Sequence, residues 1–383
     1  MIRGLSPATG LTWLTRQVAA TVLPAGTRKI TFTSGSTGEP KGVCLGVPEQ
    51  LAVATSVAAV ARNLGATRHY SALPLATLLE NVAGVYASWM AGVTCLLGSR
   101  TPTAIADGTL VADTFAADFS AQVPSTAILV PELLRMLVGQ AESGWRMPSS
   151  TRLVAVGGAK VANELIERAA AVGLPAYQGY GLSECSSVTC LNTPDASRRG
   201  SVGRALPHAR VRRSPEGELR VSGTVMAGYL GQQHAGADSE FATGDLGEID
   251  PDGYVYVAGR IKNLIIDAYG RNLSPEWIES EIGQEPGIGK VVAFGDACSR
   301  IVGLVVPAAA NLPDSAIEAA VARGNARLPP YARIARYAVL RDRGATSGEF
   351  FTANGRPRRD RIAAACAGTL EKLHGEPRES FVS

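Results

Sequence analysis

The chain has 383 residues, 46% of them hydrophobic, and a formal net charge of only +3. That length exceeds one compact core and predicts two domains, while so weak a basic balance gives no electrostatic ground for a nucleic-acid partner. Six cysteines (Cys44, Cys95, Cys185, Cys190, Cys298, Cys366) are scattered without a C-x-x-C pair and away from the four histidines. Neither a zinc site nor a disulfide framework is expected, and reduced thiols point to the cytoplasm.

At the N-terminus, Arg16 interrupts the apolar run 11–23, which spoils a signal-peptide core and a membrane anchor alike. A β-prone run at 28–32 then leads into Thr31-Phe32-Thr33-Ser34-Gly35-Ser36-Thr37-Gly38-Glu39-Pro40-Lys41-Gly42, and helical spacing resumes at 50–64. The pattern predicts a strand, a polar glycine-rich loop and a helix. Hydroxyls, glycines and one lysine suit a loop that wraps polyphosphate with N–H groups and a cation. A Walker A loop would need Gly at Pro40 and a hydroxyl at Gly42, so a magnesium ligand must come from elsewhere. Residues 70–73 read as a short strand. Pro74 opens a helix in which Leu75, Leu78 and Leu79 pack inward. Residues 82–97 are too short and too broken at Gly92 to span a membrane, and predict a buried helix turning into a core strand.

Strand-like 127–130, helical 131–139 and strand-like 152–156 form a βαβ pattern, which argues for a mostly parallel sheet covered by helices. Gly157-Gly158-Ala159 follows at the carboxyl edge, where open α/β sheets bind ligands. A helix at 161–172 and a strand at 174–177 lead to Gln178-Gly179-Tyr180-Gly181-Leu182-Ser183-Glu184. From 200 to 259 the texture is that of short antiparallel strands with turns, carrying Thr243-Gly244-Asp245 and ending in Gly259-Arg260-Ile261-Lys262-Asn263. Residues 263–383 read as a smaller α+β unit, with strands at 291–294, 301–306 and 337–340. Its helix at 315–326 leaves Arg323 and Arg327 exposed. Near its end, Arg358, Arg359 and Arg361 have the look of a solvated basic face.

In this order, the strings resemble the adenylate-forming superfamily, which includes acyl-CoA synthetases, luciferases and peptide-synthetase adenylation domains. The resemblance covers the chain from residue 28 onward. It implies an α/β fold with a large N-terminal domain, residues 1–260, of mostly parallel sheets plus a small antiparallel β subdomain. A mobile α+β C-terminal domain, residues 261–383, would rotate about a hinge. Because the superfamily carries more chain before the first loop, the resemblance also implies a naturally short or truncated member.

Site roles follow from the same resemblance. Thr33, Ser34, Gly35, Ser36, Thr37, Gly38 and Lys41 would hold phosphates. Gly157, Gly158, Ala159, Gln178, Gly179 and Gly181 would line the nucleotide. Tyr180 would stack on adenine, Ser183 meet the α-phosphate and Glu184 hold Mg²⁺. Asp245 would accept from the ribose hydroxyls, with Arg260 beside it. Lys262 takes the hinge position, Gly270 belongs to the loop that lines a pantetheine tunnel, and Arg356 stands where the superfamily has a catalytic lysine. The segment from Pro74 to Glu80 is similar to one in long-chain acyl-CoA synthetases, with Thr77 in place of histidine. The implied activity is ATP-dependent activation of a carboxylic acid, with an apolar fatty chain preferred, to acyl-AMP and then transfer to coenzyme A. Two alternatives stay open: an acyl-AMP ligase loading a carrier-protein pantetheine, and a degenerate member that binds nucleotide or acyl chains without turnover.

Overall fold

The computed structural model describes residues 2–5, 12–15, 22–34, 40–97, 101–106, 109–233, 240–341, 348–352 and 355–375. Its centre is a seven-stranded sheet with the spatial order Arg204–Ala205, Ser187–Leu191, Ala176–Leu182, Leu153–Val156, Thr126–Leu129, Arg68–Tyr70, Thr94–Leu96. All pairings are parallel from Ala176–Leu182 to Thr94–Leu96, and the two strands at the other edge run antiparallel. Thr126–Leu129 is buried at every residue, as expected of a strand covered on both faces. The helix Pro131–Glu142 starts with proline at its first turn and buries Leu133, Leu134, Leu137, Val138 and Ala141 on one stripe.

The first loop differs from the expected strand, loop and helix. Lys29–Ser34 and Pro40–Leu45 form an antiparallel hairpin, and the helix begins only at Val47. Val43, Cys44 and Leu45 are fully buried, so an apolar run carries the chain onward as a strand, and Lys41 lies on that returning strand opposite Thr33. Gly228–Tyr229 and Gln232–Gln233 extend this sheet. Residues 74–77 form a turn rather than a helix, with Leu75 47% exposed and so absent from the core. Helical backbone follows as a π-helix, Leu79–Tyr86, and then Ala87–Ala91, ended by Gly92 at φ 72 before the strand Thr94–Leu96. The buried Glu80 on the π-helix accepts from Leu73 N at 3.2 Å and meets His69 Nε2 at 3.1 Å.

A four-stranded antiparallel sheet, Arg210–Arg213, Glu218–Ser222, Phe241–Ile249 and Val255–Arg260, stands beside the parallel one. Beyond it, Ile288–Phe294 pairs antiparallel with Ile301–Pro307, which pairs parallel with Ile334–Val339. This small sheet builds its own core with Ile278, Ile282, Ile317 and Val321 from the helices Pro275–Gly283 and Asp314–Ala326. Arg327 is not exposed here. It is half-buried in an ion network with Glu281, Glu285 and Glu164. Nor is Arg359 a solvated charge, since it pairs with both oxygens of Glu279 at 2.7 and 2.6 Å and donates to Ala293 O. Among the described residues no helix is long and apolar enough to cross a membrane.

Candidate active site

Packing forces dictate the glycines that open the cleft. The strand Ala176–Leu182 carries the signature itself, pressed against Ser187–Leu191 so tightly that a Cβ on Gly181 would stand 1.8 Å from Ser187 O. Gly157 donates to Leu129 O, Gly158 takes φ +84, and both Gly158 and Ala159 face solvent at the sheet's carboxyl edge. Gln178 is spent on structure, its amide donating to Val161 O at 3.2 Å. After Leu182 a short 3-10 turn, Ser183–Cys185, presents Ser183 and Glu184 half-exposed.

Tyr180 donates to Asp245 Oδ2 at 2.6 Å, and Arg260 Nε lies 2.7 Å from Asp245 Oδ1. Asp245 and Arg260 are cross-strand partners, which is why an aspartate and an arginine far apart in sequence meet. Thr243 fixes the Asp245 backbone, its hydroxyl accepting from Asp245 N at 3.0 Å while Arg260 donates to Thr243 O. Burial raises the pKa of Asp245, with Arg260 and Tyr180 opposing it. Burial, and then Asp245, push the Tyr180 phenol well above its ordinary value.

Glu184 accepts from Tyr229 Oη at 3.1 Å, and Lys41 Nζ sits 5.3 Å from the centre of the same tyrosine ring. Tyr229 therefore joins Lys41 to the candidate metal ligand. It was missed from sequence because nothing in Ala227-Gly228-Tyr229 announces Glu184; only its pairing with Val43 next to the hairpin strand brings it there. A single hard carboxylate matches magnesium, which keeps several waters and leans on substrate phosphates. Among the described residues no cluster of three or more His, Cys, Asp or Glu offers another metal site.

Arg356 closes the cleft from the C-terminal unit. A tight turn carries it, with Gly355 N donating to Thr352 O, Thr352 N to Arg356 O, and Phe351 bridging Pro357. Its Nη2 donates to Gly158 O at 2.7 Å. The residue is exposed overall, yet desolvation and Arg260 lower its pKa, whereas Asp245, Glu184 and Glu276 act the other way. Lys262 lies in the 3-10 turn Ile261–Asn263 directly after Arg260. Its pKa is lowered by burial and by the charges of Arg260 and Lys41. Arg260 beside Asp245, Lys41 over the Tyr229 ring that bonds Glu184, and Arg356 within the field of both carboxylates make a charge arrangement suited to a polyanion.

Glu276 was also missed. It accepts from Ser274 Oγ at 3.0 Å and bonds Asn263, next to the hinge candidate. Gly270, at φ +76 in the turn closed by its N–H to Asp267 O, stands in open space outside the nucleotide cluster. Beside that turn is a groove of about 680 Å³ lined by Lys160, Arg271, Trp277 and Tyr331 among others. Gly35, Ser36, Thr37 and Gly38 lie outside the described residues, and of Ser34 only the backbone is described, paired with Pro40.

A hairpin lysine, the carboxylate that follows the Tyr180 strand and a cation from the C-terminal unit gathered on one cleft fit an adenylate-forming enzyme. The chain belongs to the AMP-binding enzyme family, whose profile matches residues 14–230, and the AMP-binding enzyme C-terminal domain matches residues 262–376. It is 27% identical to a Mycobacterium tuberculosis protein described as fatty-acid–CoA ligase fadD11, over 90% of this chain and 72% of that one. Against the indoleacetate–CoA ligase of Aromatoleum aromaticum it is 32% identical, over 73% of this chain and 57% of that protein. The O-succinylbenzoate coenzyme A synthetase of Bacillus subtilis, solved with AMP, shares the fold at TM-score 0.69 and 24% identity, covering 89% of this chain and 69% of that one.

Proposed function

We propose that the protein is an acid–thiol ligase that activates a carboxylic acid with ATP to acyl-AMP and passes the acyl group to coenzyme A. The observation that carries this reading is the reach of Arg356 onto Gly158, which sets a C-terminal cation over the nucleotide wall together with Lys41, Glu184 and the Asp245–Arg260 pair. The named activities of the relatives, ligation of fatty acids and of indoleacetate to CoA, support the same chemistry.

In the first half-reaction a carboxylate oxygen attacks the α-phosphorus, forming the new P–O bond as the bond to pyrophosphate breaks. Two anions meet, so the barrier is electrostatic. Lys41 and the hydroxyl loop receive the leaving pyrophosphate, Arg260 and Asp245 hold the ribose, and Arg356 bridges the carboxylate and the α-phosphate. Glu184, oriented by Tyr229, would hold a magnesium ion, which neutralises phosphate charge when bound. In the second half-reaction the CoA sulfur attacks the acyl carbonyl. The C–S bond forms, AMP leaves, and the thiol proton passes to solvent.

We divide the chain into an ATP- and acyl-binding domain, residues 1–260, and a mobile domain, residues 261–383, turning about Lys262 to exchange Arg356 for the Gly270 loop between the two steps. A fatty acid is the preferred substrate, on the likeness of Pro74-Leu75-Ala76 to long-chain synthetases. The six free thiols and the cosubstrates suit the cytoplasm. Incubation with ATP, Mg²⁺, a panel of carboxylic acids and CoA should yield AMP and one acyl-CoA product by mass spectrometry. AMP formed only with a pantetheinylated carrier protein would favour the carrier reading, and nucleotide binding without any product the non-catalytic one.

A further inference from the structure

The turn that carries Arg356 rests on an ion pair between the two units. Lys290 Nζ, from the strand Ile288–Phe294, bonds both oxygens of Glu132 at 2.8 and 3.0 Å, and Glu132 stands in the first turn of the helix Pro131–Glu142. Gly355 lies directly on this pair: a Cβ there would stand 2.9 Å from Lys290 Nζ and 3.7 Å from Glu132 Oε2, at a φ of +73 that already favours glycine. One turn further along the same helix, Arg135 donates to Gly283 O and, at 3.4 Å, to Ile288 O, pinning the strand's first residue. The helix starts at Pro131, after Val130, whose side chain lies 3.6 Å from where a Gly158 Cβ would be. Glu132, Lys290, Gly355, Arg356 and Gly158 therefore form one contiguous chain of contacts.

We propose that Glu132 and Lys290 are positioning residues, which seat the Arg356 turn on Gly158 for acyl-AMP formation and part before thiol transfer. The inference rests on the ligase reading above. A partly exposed pair shifts a two-state balance only modestly, so it holds Arg356 in place without locking the domains.

The test compares wild type, Lys290→Met, Glu132→Gln and the double swap Glu132→Lys with Lys290→Glu. Each is measured in ATP–pyrophosphate exchange and, separately, in CoA thiolysis of supplied acyl-AMP. Each single variant should lose about threefold to fivefold in exchange kcat, keep thiolysis at or above the wild-type rate, and be restored by the swap. Unchanged exchange, an equal fall in both half-reactions, or a folded swap variant that restores nothing overturns the positioning role. A wild type without exchange activity would instead sink the ligase reading itself.

Discussion

The phenol of Tyr180 and the carboxylate of Asp245 are joined by a 2.6 Å hydrogen bond that ties the signature strand to the antiparallel sheet. Each Asp245 oxygen already holds a donor, Tyr180 on one and Arg260 on the other, so a ribose hydroxyl would meet a carboxylate fixed in place. Losing that acceptor by Asp245→Ala should weaken ATP binding by about 1–3 kcal/mol, the worth of charge-assisted hydrogen bonds. Titration calorimetry checks it, and an affinity equal to wild type would contradict the assignment.

The same burial sets a pH dependence. Asp245 holds its proton up to a higher pH than a free aspartate at 3.8, and the proposed ribose contact needs the ionised form. Because the folded state binds this proton more tightly than the unfolded one, the stability the group contributes falls as pH rises through its folded pKa, while ATP affinity rises. The acid limb of ATP binding should therefore lie above pH 3.8 and disappear in Asp245→Asn. A limb at or below the ordinary value, or one that survives the substitution, would be inconsistent with this account.

Around Glu184 the expectation concerns the metal. Glu184→Gln should raise the Mg²⁺ concentration needed for ATP binding, and Tyr229→Phe should do the same more weakly, since it removes one donor to the carboxylate while leaving the charge. Calorimetric ATP titrations across a Mg²⁺ series read this directly. Wild-type curves for both variants would place the metal ligand elsewhere.

The order of elements was legible in the sequence because periodicity and glycine punctuation mark a parallel sheet well. Strand 153–156, the helix after it and the antiparallel run near 243–260 fell where the residues indicated. The hairpin at Thr33 and Lys41 was not legible, because the buried run Val43-Cys44-Leu45 sits too close to the next helix for spacing to tell strand from helix. At Leu75 a different ambiguity acts: proline suits the first turn of a helix and a plain turn alike, and here the chain only turns. Tyr229, Glu276 and Lys290 escaped because their partners are supplied by tertiary packing and by no local motif.

At the proposed hinge, Lys262→Pro should fix φ at the residue assigned as the pivot. Acyl-AMP formation should persist while thioester formation is lost, as separate assays of the two half-reactions would record. Equal losses in both would mean that the pivot is not Lys262.

The most direct test of the ligase account is acid-dependent ATP–pyrophosphate exchange by wild type, Arg356→Lys and Arg356→Ala. Lysine and arginine deliver charge differently, a compact ammonium against a planar fork, so Arg356→Lys reports geometry and Arg356→Ala reports charge. The account predicts exchange in wild type with at least one carboxylic acid, and a loss of about a hundredfold or more in Arg356→Ala, as expected when a group aimed at developing charge is removed. Wild type that binds ATP yet exchanges with no acid, or an active enzyme indifferent to Arg356→Ala, would contradict it.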